Sequence, residues 1–145
     1  MNILRQLREN RGRKPEELAK AAGITVEWYY DLEAGDDELD NNISVGSVSR
    51  IARELGVKPS ALYGGASGNA ISVHGLAFRI LKELERSGMT HEKFADQIGY
   101  AIAPALNDPT QFCEFNAEGL RAACTAVNIN WFDVLDHLEG DVSGR

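Results

Sequence analysis

The chain predicts an all-α fold built as two tandem five-helix units, and three observations carry that prediction. The stretch Gly12–Gly35, GRKPEELAKAAGITVEWYYDLEAG, reads as helix, glycine turn, helix. Its glycine spacing returns later: Gly12 and Gly23 are eleven apart, and so are Gly88 and Gly99. Between the two occurrences, Gly64–Ala70 (GGASGNA) has the composition of a small flexible linker. The expected organisation is a first unit over 1–63, a linker over 64–70, a second unit over 71–138 and a tail over 139–145.

Each element has a local cause. Asn2 can cap a first amphipathic helix marked by Ile3, Leu4, Leu7 and Arg11, which ends near Gly12. Pro15 fits the first turn of the second helix, where its missing N–H costs nothing, and Leu18, Ala19 and Ala22 share one face. Gly23 breaks that helix, Thr25 caps the third, and Val26, Tyr29 and Leu32 form its inner side. GDDELDNN after it is polar and acidic, so a surface loop is expected. Ser44 then caps a helix with Val48, Ile51, Ala52 and Leu55 on one face, closed by Gly56, and Lys58–Tyr63 begins a short fifth helix on Pro59.

The second half repeats these features in weaker form. Ile80–Leu84 echoes Ile3–Leu7, and Thr90, Glu92, Phe94 and Ala95 stand where Lys14, Glu16, Leu18 and Ala19 stood. Leu120, Ala123, Val127 and Asn128-Ile129 parallel Val48, Ile51, Leu55 and Gly56-Val57, with Trp131–Leu135 as a closing helix. The third helix departs: Pro104 is tolerated only in a first turn, and Pro109 falls where the first half has Glu33. A short, apolar helix suits packing better than groove reading. The second unit is therefore expected to pack on the first or to form a dimer or partner interface through Ala101–Leu106 and Trp131–Leu135.

Between Leu4 and Tyr63, the residues Leu7, Gly12, Leu18, Ala19, Gly23, Ile24, Tyr29, Leu32, Glu33, Gly35, Ile51, Ala52, Leu55, Gly56, Val57 and Leu62 resemble the Cro and lambda-repressor-like, or Xre, helix-turn-helix family. The resemblance implies a five-helix domain, often dimeric, whose third helix enters the major groove of double-stranded DNA. It implies groove-side positions at Thr25, Val26, Glu27, Trp28, Tyr30 and Asp31, with Arg11, Arg13, Lys14 and Lys20 positioned on phosphates. Val26 could touch a thymine methyl and Glu27 accept from a cytosine amino group. It also implies an Arg8–Glu33 ion pair fixing the first helix against the third.

Charge supports a competing reading. Residues 1–67 carry nine Lys or Arg against eleven Asp or Glu, and residues 68–145 carry six against eleven, within a chain of net charge −7. Phosphate binding normally needs a basic face. Successive helical residues turn by about 100°, so Trp28, Tyr29 and Tyr30 cannot all face the core. Exposed Trp28 and Tyr30, with Asp36, Asp37 and Glu38 nearby, suit a non-enzymatic module that binds a basic protein, such as an antirepressor, antitoxin or inhibitor.

Other classes lack support. His74, His91 and His137 are isolated, Cys113 and Cys124 have no ligand or CxxC spacing, and no glycine-rich phosphate cradle occurs, so no catalytic residue, cofactor or metal is expected. No apolar run reaches membrane-span length, which predicts a soluble, cytoplasmic chain.

Overall fold

The computed structural model describes residues 3–35 and 37–138. Asn2, Asp36 and the 139–145 tail, each named above, lie outside them. The fold is all-α; among the described residues the nearest thing to a strand is an isolated antiparallel bridge between Ser44 and Asn116.

The first half holds α1 (Ile3–Asn10), α2 (Pro15–Ala22), α3 (Val26–Ala34), α4 (Glu38–Asn41), α5 (Val45–Leu55) and a 3-10 turn over Pro59–Tyr63. The second holds α6 (Val73–Ser87), α7 (His91–Ile98), α8 (Ala103–Asn107), a 3-10 turn over Pro109–Glu114, α9 (Ala117–Ala126) and α10 (Trp131–Leu135). Caps set most of the boundaries. Side chains of Thr25, Ser44, Ser72, Thr90 and Asn116 each accept a backbone N–H of their helix's first turn. Gly23, Gly56, Gly88 and Gly99 close helices at positive φ, a conformation that costs glycine little.

Two apolar cores form. Leu4, Leu18, Tyr29, Leu32, Ile51, Leu55 and Leu62 fill the first; Val73, Leu76, Ile80, Phe94, Ile102, Phe112, Leu120 and Val134 fill the second. Val45, at the start of α5, is buried in the second core, and Tyr63 packs against both. Two modest cores pressed together exclude more water than either alone.

Contacts between the halves are reciprocal. α4 packs on α9, the Pro109–Glu114 turn packs on α5, and the Pro59–Tyr63 turn packs on α10. The bridge between Ser44 and Asn116 joins the N-caps of α5 and α9. Asn128, the single non-glycine residue at positive φ among those described, follows Asn116 by the same twelve positions that separate Gly56 from Ser44.

Three expectations are corrected. The GDDELDNN stretch is not wholly loop: Glu38–Asn41 is helical and buries Leu39, with Ile43 buried just beyond, because one apolar residue per short turn suffices to pin it to the core. The Gly64–Ala70 segment is not a free linker. The Asp133 carboxylate accepts the N–H groups of Gly68 (2.8 Å) and Asn69 (3.0 Å), Ile71 N–H donates to the Asp133 carbonyl, and Gly65 lies so close to the Phe132 ring that a Cβ would meet it at 2.2 Å. Small residues here permit close approach of the chain to α10.

The third concerns the dimer alternative at the two apolar segments of the second half. Ile102, Ala105 and Leu106 of the Ala101–Leu106 segment, and Trp131, Val134 and Leu135 of Trp131–Leu135, are buried within the chain's own second core. Apolar side chains expected to face a second protomer are already covered. Trp131 meets the Tyr63 ring edge-on at 5.0 Å and carries the Arg121 guanidinium 4.7 Å above its face. Cys113 and Cys124 are both buried, with no disulfide between them, and burial pushes the Cys124 thiol up to about 12.

Candidate nucleic-acid interface

The candidate site is α3 and the turn that presents it. Gly23, at φ +75°, lets the Ile24 N–H reach back to the Ala19 carbonyl at 3.0 Å, ending α2 and turning the chain. Thr25 then accepts the Trp28 N–H through its hydroxyl at 3.1 Å. That hydroxyl serves as helix cap, which accounts for Thr25 without a ligand. Ser47 and Arg50 of α5 fasten the end of α2: Ser47 Oγ donates to the Ala22 carbonyl at 2.9 Å and Arg50 Nε to Ala21 at 3.2 Å. A guanidinium at a helix C-terminus also satisfies the negative end of its dipole. Neither residue was singled out from sequence, because their acceptors are backbone carbonyls about 25 positions away.

The inner side of α3 is fixed by Tyr29 and Leu32, both fully buried, and by Glu33. Arg8 donates to Glu33 from Nε at 2.6 Å and from Nη2 at 3.1 Å, a two-pronged pair whose side chains are only 13% and 8% exposed. These hydrogen bonds raise the Arg8 pKa still further. A third bond, from Arg8 Nη1 to the Arg13 carbonyl, ties in the loop before α2. α1, α2 and α3 thus share one electrostatic bolt.

Beside that pair the buried Tyr29 hydroxyl lies near the Glu33 carboxylate but makes no hydrogen bond of ordinary geometry. Burial first, then the neighbouring Glu33 carboxylate, pushes its ionisation upward. Because an unmade buried hydrogen bond costs about 1–3 kcal/mol, Tyr29→Phe is expected to leave stability unchanged or raise it by about 1 kcal/mol in urea melts. A clear loss would show that the hydroxyl is bonded.

The outer side of α3 presents Glu27, Trp28, Tyr30, Asp31 and Ala34. Tyr30 is 49% exposed and Trp28 38%. Trp28 is not a loose anchor, however, since its indole N–H donates to the Asn42 carbonyl at 2.9 Å and ties α3 to the end of α4. Val26 is half-buried and packs on the first core, which leaves little of it for a base. Beside Trp28 a polar groove opens between Gly23, Arg50 and the second half's Thr110 and Gln111. The second half therefore flanks the start of α3.

The cations expected on phosphates divide into two groups. Arg13 donates to the Glu17 carboxylate at 3.1 Å, to the Glu54 carbonyl at 2.5 Å and to the Glu54 carboxylate, so it struts α2 against the end of α5. Arg11 lies over the same end: a Cβ on Gly56 would stand 3.4 Å from its Nη1. Glu54, at the α5 C-terminus, holds Arg13, whereas Arg11 stays exposed beside it. Lys14 and Lys20 remain exposed and carry no ion-pair partner among the described residues. Even so, the Glu17 carboxylate already accepts the Lys14 backbone N–H at 2.9 Å, and that bond first, then Arg13, holds its pKa below the usual range. Of the acidic residues proposed for a basic partner, Asp37 is exposed and Glu38 is half-buried.

Among the described residues no helix is long and apolar enough to cross a membrane. No curated protein and no solved structure matches the chain. Residues 3–62, running from α1 into the Pro59–Tyr63 turn, match the family model described as a helix-turn-helix domain, and the α2–Gly23–α3 geometry is that motif.

Proposed function

We propose that the chain is a non-enzymatic, cytoplasmic DNA-binding transcriptional regulator of the Xre type that presents α3 to the major groove. The observation carrying this reading is the outward side of α3, with Glu27, Tyr30 and Asp31 exposed, held on a helix-turn-helix scaffold by Tyr29, Leu32 and the Arg8–Glu33 pair. Arg11, Lys14 and Lys20 are the phosphate contacts this reading retains; Arg13 serves the α5 end instead.

Titrating mixed-sequence duplex DNA tests it. Binding is expected at low salt and should weaken steeply as salt rises, with Lys14→Ala and Lys20→Ala each reducing the salt slope by about 1. No detectable binding at low salt refutes the reading. A second reading has its own observation: α3 carries Glu27 and Asp31 but no cation, beside exposed Trp28 and Tyr30. Such a surface fits a basic protein partner. Asp31→Lys separates the two, since it should strengthen DNA binding and abolish capture of that partner.

We also read the second half as a degenerate second unit related to the first by a pseudo-two-fold axis near the Ser44–Asn116 bridge. The reciprocal packing and the repeated spacings of caps support this. α8, at the place of α3, has five residues and no charge. The second unit would then scaffold the first instead of reading DNA.

A further inference from the structure

We infer that α6 is a self-association surface on which a second copy of this chain seats its own α6, antiparallel. α6 is the longest helix among those described, and its inner side, Val73, Leu76, Ala77, Ile80 and Leu84, is buried in the second core. Its outward side is not polar throughout. Phe78 is 63% exposed, more than any other large apolar side chain among the described residues, and Leu81, three positions on, is 41% exposed. Helical geometry makes these two neighbours on the surface. His74 and Glu85, both exposed, continue the same line four positions before Phe78 and four after Leu81.

The resulting 4-3-4 spacing is that of a two-helix seam, and its content is self-complementary. If the dyad lies between positions 79 and 80, Phe78 of one copy meets Leu81 of the other, and His74 meets Glu85. Apolar faces apolar in the middle, and imidazole faces carboxylate at both ends. A parallel arrangement would instead oppose Glu85 to Glu85. His74 also neighbours Asp108 of its own chain, so it meets an acidic environment from both sides. Lys82 reaches back over the Phe78 ring at 5.5 Å and borders the seam with its aliphatic stem.

Charge favours a second copy over an unrelated partner. The chain as a whole carries −7, which opposes self-association over most of its surface. Within α6, Arg79, Lys82 and Arg86 are nearly balanced by Glu83 and Glu85, so two copies can approach there. One helix seam buries little area, which predicts a reversible dimer at the small end of specific interfaces.

Sedimentation equilibrium of the full chain from micromolar to millimolar concentration tests the assignment. A monomer–dimer equilibrium is expected, and Phe78→Glu, at a site too exposed to disturb the fold, should weaken it on the order of 10–100-fold with an unchanged melting temperature. Glu85→Lys alone should weaken dimerisation, and His74→Glu added to it should restore it. A wild-type chain that stays monomeric throughout, or a Phe78→Glu variant that dimerises normally, overturns the inference. A charge swap that fails to restore the dimer overturns the antiparallel pairing.

Discussion

Glu33→Ala should lower the unfolding free energy by about 3 kcal/mol, the size of loss found when one partner of a mostly buried ion pair is removed. The reason lies in what stays behind. Arg8 would keep its charge and its place under α3, with the Arg13 carbonyl at 3.2 Å as its remaining acceptor. Arg8→Ala should cost a similar amount by stranding the carboxylate. Glu33→Gln keeps an acceptor but no charge, so it should fall between wild type and Glu33→Ala. Urea unfolding reads this as a lower midpoint at an unchanged slope. A Glu33→Ala midpoint indistinguishable from wild type would show that the pair is screened and that packing of Tyr29 and Leu32 alone positions α3.

Asp136→Ala is expected to cost about 2 kcal/mol, through the two hydrogen bonds its carboxylate accepts in a buried position. Those bonds come from the Ser60 N–H at 2.7 Å and the Ser60 hydroxyl at 2.6 Å. Ser60 is 1% exposed, so without Asp136 its backbone donor would have no water to turn to. Ser60→Ala should cost less, since it removes one bond and leaves the backbone donor satisfied. The pair joins the Pro59–Tyr63 turn to the end of α10. Asp136→Ala should therefore also speed amide hydrogen exchange at Ser60 more than in α2. Equal exchange at the two places would mean that the Asp136–Ser60 bonds do not hold the turn against α10.

These two clusters differ in how far the sequence revealed them. The Arg8–Glu33 pairing follows from a resemblance that covers Leu4 to Tyr63. Asp136 and Asp133 carry no such signal: one follows the end of the short α10 and the other lies in its first turn, and their partners are backbone N–H groups and a serine 64 to 76 positions away. A carboxylate that caps a distant segment looks, in sequence, like any surface acid. The acidic stretch after Gly35 failed for a related reason. Its average polarity hid Leu39 and Ile43, whose burial depends on α3 and α5 being in place beside them.

The sequence by itself determined most of the helices and their order, α4 excepted. Hydrogen-bonding caps, positive-φ glycines and apolar spacing act within a few residues of where they are written, so Gly23, Thr25, Ser44 and Gly56 did their work locally. The tertiary structure alone decided which surfaces remained available. It turned the apolar α8 and α10 inward, drew Arg13 to the end of α5, bound the Gly64–Ala70 segment to Asp133, and left Phe78 and Leu81 outside. Burial and charge pairing depend on neighbours far along the chain, and no local pattern encodes which neighbour arrives.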